Sequence, residues 1–185
     1  MNNKLIEAIF LERHNRFVAS VDLEGRVERV YVPNTGRLAE LALPGERCLL
    51  AESGGKYRYR LLFFYYRDRP VFIDSVACNS IFAELLASGA LPGMEDLRIL
   101  RREPVCGHHR FDYLMEGRDG GKFFAELKSC TLAEGDMASF PDAVSERAAR
   151  HVEALAASGC GMLVFFLLHC QARRFVPNYH TDFEF

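Results

Sequence analysis

Apolar and polar residues alternate through residues 16–77, and the alternation breaks at regular turn signals. RFVASVDLEG alternates and stops at Glu24-Gly25. RVERVYVPNTG alternates again and ends at Pro33-Asn34-Thr35-Gly36, where the pattern also predicts a positive φ at Gly36. ERCLLAESGGK is a third strand closed by Gly54-Gly55, and YRYRLLFFYYRDRP and VFIDSV complete five. In YRYR, Tyr57, Tyr59 and Leu61 fall on one face and Arg58, Arg60 and Leu62 on the other. That pattern suits aromatics in a core with arginines outside, and equally a basic, aromatic surface for a single strand.

Five short strands with Gly-rich turns predict a small barrel, and an oligonucleotide-binding (OB-like) barrel is one candidate. Beyond residue 78 the period changes. NSIFAELLASG (79–89) has helical spacing and a terminal glycine, and LRILRREPV, RFDYLMEG and KFFAELKSC follow as strands, the last two joined by a hairpin at Gly117–Gly121. FPDAVSERAARHVEALAASG predicts a helix opened by Pro141 and Asp142 and stopped by Gly159. GMLVFFLLHC predicts a fully buried strand in the middle of a covered sheet. Helix, three strands, helix, strand is a compact α/β order, so the chain divides into 1–77 and 78–185.

The longest apolar run is about half of what a membrane helix needs, and MNNKLIEAIF carries Glu7 without a small-residue cleavage site, so a cytoplasmic, membrane-free protein is expected. The six cysteines form no CxxC pair, which points to reduced, mostly buried thiols rather than a disulfide framework or zinc site. A net charge of −2 argues against a strongly basic nucleic-acid binder. Of the 23 basic residues, however, 19 are arginine, the side chain suited to bidentate phosphate contacts; genome composition explains the same excess.

Three residues interrupt apolar strands: Asp112 in RFDYLM, and Glu126 and Lys128 in FFAELKSCTL. Glu126 and Lys128 share one strand face, and the hairpin brings Asp112 toward it. Two converging carboxylates suit Mg²⁺ (or Mn²⁺), which takes one or two carboxylates and keeps waters for a phosphate. A neighbouring lysine would orient water and stabilise developing charge, giving metal-assisted phosphodiester hydrolysis. A solvated ion pair near a sheet edge accounts for the same spacing. Ser129 and Thr131 would orient Lys128 or bond phosphate, or else cap the strand end. Arg147 and His151, at i and i+4, are candidates for phosphate contact or for supporting Glu126, while Glu146 is expected to pair with Arg150. In VPNTGRL, the turn formed by Asn34, Thr35 and Gly36 beside Arg37 is a candidate phosphate site. His108-His109 lacks the partners of a transition-metal site.

RHNRFVASV, VPNTGRL, RFDYLMEG, FFAELKSCTL, FPDAVSERAARHVEAL and ARRFVPN occur in an order and spacing that resemble the sugar fermentation stimulation protein A family over nearly the whole chain. The resemblance implies an N-terminal five-stranded OB-like β-barrel followed by a PD-(D/E)xK restriction-endonuclease-like α/β domain, and a bacterial or archaeal DNA-binding protein. It implies metal carboxylates at Asp112 and Glu126 with Lys128 as the basic group. It adds Glu84 as a further carboxylate from the preceding helix, and Arg16 among the nucleic-acid contacts. Members of that family continue past the point where VPNYHTDFEF ends, so the second domain is expected to be short at that end. A Mg²⁺-dependent nuclease, a non-cleaving DNA-binding regulator of sugar-utilisation genes, and an RNA- or nucleotide-processing phosphodiesterase all remain open, as does monomer or homodimer.

Overall fold

The computed structural model describes residues 4–185. Its first six strands are β1 (Ile6–Asn15), β2 (Val18–Leu23), β3 (Arg26–Tyr31), β4 (Arg47–Glu52), β5 (Tyr59–Tyr66) and β6 (Arg69–Phe72). They pair in the order β3-β2-β1-β4-β5-β6, and a parallel β3–β5 contact, Tyr31 to Arg60, closes the first five into a barrel. This is an OB barrel.

β1 is the strand that alternation from residue 16 onward misses. It serves both β2 and β4, with register shifts between Phe10 and Glu12 and between Arg13 and Asn15. Such bulges bend a strand and tighten its twist, which lets one strand turn a barrel corner. They also break the clean period of two that a sequence reading looks for. β2 and β3 are joined by Glu24-Gly25, both at positive φ (54° and 80°), the geometry of a tight two-residue hairpin. Phe10, Val21, Val30, Leu50, Leu61 and Phe64 fill the barrel at 1% exposure or less, with the Phe10 and Phe64 rings edge-on at 5.1 Å. Tyr59 and Leu61 are buried with them, while Arg58 is exposed over the Tyr59 ring and Arg60 pairs with buried Asp74. Of the YRYR aromatics, Tyr59 is therefore core and Tyr57 is half-buried.

The remaining elements are α1 (Ser75–Ala87), β7 (Arg98–Arg102), β8 (Val105–Cys106), β9 (His109–Arg110), β10 (Tyr113–Glu116), β11 (Lys122–Cys130), β12 (Ala133–Glu134), β13 (Met137–Phe140), α2 (Glu146–Ala157), β14 (Gly161–Leu167) and β15 (Arg174–Pro177). Two compact units result, and they are not contiguous in sequence. The first holds residues 1–76, 130–143 and 167–181, and the second holds 77–129, 144–166 and 182–185. Within the first unit, β12, β13 and β15 form their own small sheet over Cys130, Ala133, Ala138 and Ala172.

The second unit is built on the sheet β14-β11-β10-β7. One face carries Tyr113, Met115, Ala125 and Leu127 against Phe82, Ala83 and Leu86 of α1. Two expectations change here. β14 lies at the edge of the sheet and is mostly half-buried rather than central and fully buried. α2 starts at Glu146, not at Pro141-Asp142, because Ser145 supplies the cap: its hydroxyl accepts from Ala148 N at 3.3 Å, and its own N–H donates to Asp182 at 2.9 Å. No helix among the described residues is long and apolar enough to cross a membrane.

Candidate metal and phosphate site

β11 is an interior strand, so the charged pair inside it is not an edge decoration. Glu126 and Lys128 project from the face opposite α1, and their side chains keep only 8% and 13% of their surface. Lys128 Nζ donates to Glu126 Oε1 at 2.7 Å, and His151 of α2 places Nδ1 3.0 Å from the same oxygen. A carboxylate offers only acceptors, so Nδ1 carries the hydrogen in that contact. The His151 ring is walled by His109 and Phe111, with centroids at 5.7 and 6.3 Å. The second oxygen, Glu126 Oε2, is buried with no hydrogen-bond partner. Such an oxygen is costly to leave unsatisfied and marks a place where a cation fits.

Asp112 precedes β10, and the register Tyr113↔Ala125, continued by one position, sets it across from Glu126. Its oxygens are held from two sides: Leu127 N donates to Oδ2 at 2.7 Å and Asn79 Nδ2 to Oδ1 at 2.8 Å. Each still has a free lone pair. Burial raises the Asp112 pKa, and the Glu126 carboxylate adds to the rise against the lowering effect of the Leu127 N–H and Lys128. Two carboxylates that repel each other beside an unsatisfied oxygen fit a divalent cation with water completing its shell.

Glu84 does not join them. It is exposed on α1, five residues after Asn79 and so about 140° around the helix from it. The α1 residue that reaches Asp112 is Asn79, whose carbonyl also accepts from Tyr113 Oη. Its only sequence signal is a lone amide in the apolar run VACNSIF. Ser129 also points away from Lys128, sharing the α1 face with Leu127 and hydrogen-bonding Cys78. Thr131 is buried in the first unit. Glu146 is exposed and pairs with Arg150 at 3.2 Å, and Arg147 is exposed beside it. Among the described residues no group of three ligating side chains gathers around one point.

In the first unit, the PNTGR turn is exposed at Thr35 and Arg37 but not at Asn34. Asn34, expected to meet nucleic acid, is occupied internally: Oδ1 accepts from Gly36 N at 2.7 Å and Nδ2 donates to Ile73 O at 2.8 Å. Gly36 is not at positive φ; Leu38 is, at 52°. Position 36 is tight instead: a Cβ there would meet Asn34 Oδ1 at 3.0 Å and Asp142 Oδ2 at 3.1 Å, so a larger residue requires those side chains to give by a few tenths of an ångström. The two most specific sequence segments, PNTGR and FPDAVSER, therefore touch at this glycine.

The model described as the SfsA N-terminal OB domain matches residues 11–73, and the one described as the sugar fermentation stimulation protein RE domain matches residues 76–185. The sugar fermentation stimulation protein homologue of Desulforamulus reducens is 37% identical, over 97% of this chain and 77% of its own length. The chain belongs to the sugar fermentation stimulation protein family. The Pyrobaculum neutrophilum homologue is 40% identical, over 96% of this chain and 77% of its own. The solved structure of Pyrococcus furiosus SfsA in complex with Ca²⁺ superposes with a TM-score of 0.89 at 38% identity, covering 98% of this chain and 80% of that one. The family's OB barrel is the first five strands described above.

Proposed function

We propose that this family member is a divalent-metal-dependent phosphodiesterase acting on nucleic acid, with DNA as its first substrate. The observation that carries the reading is Glu126 Oε2, buried and unpartnered across from Asp112 while Lys128 holds the other Glu126 oxygen. Asp112 and Glu126 would hold Mg²⁺ or Mn²⁺, and the Ca²⁺ of the Pyrococcus furiosus relative supports a divalent cation. When bound, such a cation supplies Lewis-acid polarisation of a phosphoryl oxygen. The chain's own residues do the rest. Asn79 and the Leu127 N–H orient Asp112, His151 and Lys128 orient Glu126, and the Lys128 ammonium would stabilise charge developing on a phosphate. Exposed Arg16, Thr35, Arg37 and Arg147 are available for backbone phosphates.

One observation favours a second reading, a DNA-binding regulator that does not cut: no third ligating side chain joins the two carboxylates among the described residues. Incubating the protein with plasmid, single-stranded DNA and RNA in Mg²⁺ or Mn²⁺ separates the readings. Cleavage abolished by Lys128→Ala and Asp112→Asn supports the enzyme. Binding without cleavage on every substrate supports the regulator, and cleavage that survives both substitutions contradicts the site.

A further inference from the structure

One guanidinium ties two surface turns of the barrel together. Arg13 Nη1 donates to Gly36 O and Arg37 O at 2.6 and 2.9 Å, and Nη2 donates to Arg16 O and Asn34 O at 2.8 and 2.6 Å. The β1–β2 turn is pinned further: Phe17 N donates to Asn15 Oδ1, and Phe17 O accepts from Val32 N, both at 2.9 Å. What these fixed turns present outward is Arg16, Phe17, Thr35 and Arg37, all exposed. Phe17 leaves 48% of its surface open.

Charge is arranged to suit an anionic strand. Among the described residues, neither Arg16 nor Arg37 has a carboxylate within ion-pair distance, so both are free for phosphate. The acids beneath the turn are accounted for differently. Asp142 lies against Gly36 and faces Arg13, and burial together with Asp142 raises the pKa of Glu40. The β1–β2 turn of an OB barrel adjoins the face on which such barrels take oligonucleotides. An aromatic ring between cations is the sequence-tolerant way to hold an unpaired base, and a turn fixed beforehand loses little entropy on binding.

We propose that Arg16, Phe17, Thr35 and Arg37 form a platform for an unpaired nucleotide, Phe17 stacking on the base and the arginines gripping the flanking phosphates, with Arg13 as the positioning residue. The proposal rests on the nucleic-acid reading above and adds to it a preference for single-stranded segments. The chain contains no tryptophan, so Phe17→Trp installs a single reporter. Oligothymidylate of about 15 nucleotides, within the range one barrel covers, and a duplex of equal length are the probes for the full chain. Saturating oligothymidylate is expected to quench the emission of Phe17→Trp, and the duplex to quench it far less. Phe17→Ala should weaken oligothymidylate about tenfold, Phe17→Tyr should restore it, and duplex affinity should stay within about twofold. Unchanged emission with the oligonucleotide bound, or Phe17→Ala binding it as the parent does, overturns the platform and leaves nucleic-acid binding standing. No binding of either probe by the parent overturns both.

Discussion

Lys128→Ala removes one of the two cationic or donor groups that hold a nearly buried carboxylate. Glu126 keeps His151 at 3.0 Å but loses Lys128 at 2.7 Å, and its other oxygen already lacks a partner. Stripping one member from a buried pair costs about 3–5 kcal/mol, because the remaining charge stays desolvated. The surviving His151 contact places the expected loss at the low end, about 3 kcal/mol, which lowers Tm by roughly 6–12 °C in a chain of this size. One rescue is specific to the mechanism. Millimolar Mg²⁺ narrows the gap between variant and parent, by placing positive charge beside the same carboxylate. Differential scanning fluorimetry with and without Mg²⁺ reads both effects. A variant that melts with the parent, or a deficit that ignores the cation, would refute the claim that Glu126 is a buried, cation-seeking group.

The raised Asp112 pKa has a pH consequence. In the folded chain the carboxyl holds its proton above its ordinary 3.8, so its contribution to stability is present below that value and lost as pH rises toward the folded value. A cation binds the ionised form; its affinity, measured by calorimetry, should therefore climb with pH through this window. Glu84→Ala should leave cation affinity within about twofold, since that side chain stands on another part of α1. Asn34→Ala strands Gly36 N and Ile73 O beneath the turn, and chemical denaturation should register a loss of about 2 kcal/mol.

Sequence pattern located most strands because alternation survives wherever a strand has one buried face, as in β2, β3 and β5. β1 escaped because two bulges shift its register midway, and β14 was misplaced because an apolar run does not reveal how many faces are covered. The core of the site was legible for a local reason: Glu126 and Lys128 are two apart on one strand, and a short hairpin returns Asp112 to them. His151 was legible only as a helix face, since nothing local says which sheet face that helix covers. Asn79, Arg13 and the seat of Asp142 on Gly36 depend on long-range contacts 21 to 106 residues apart in sequence, beyond any periodicity. Asn34 shows the opposite error. A turn residue with a polar side chain reads as surface, yet its amide serves entirely to hold the turn to the barrel.

The most direct measurement is isothermal titration of the full chain with Mg²⁺, repeated with Ca²⁺ and with Asp112→Asn under the same conditions. One cation site in the parent, lost in the variant while its Tm without metal stays near the parent's, is the predicted result. Equal cation binding by parent and variant, or none by the parent, would contradict a metal centre at Asp112 and Glu126.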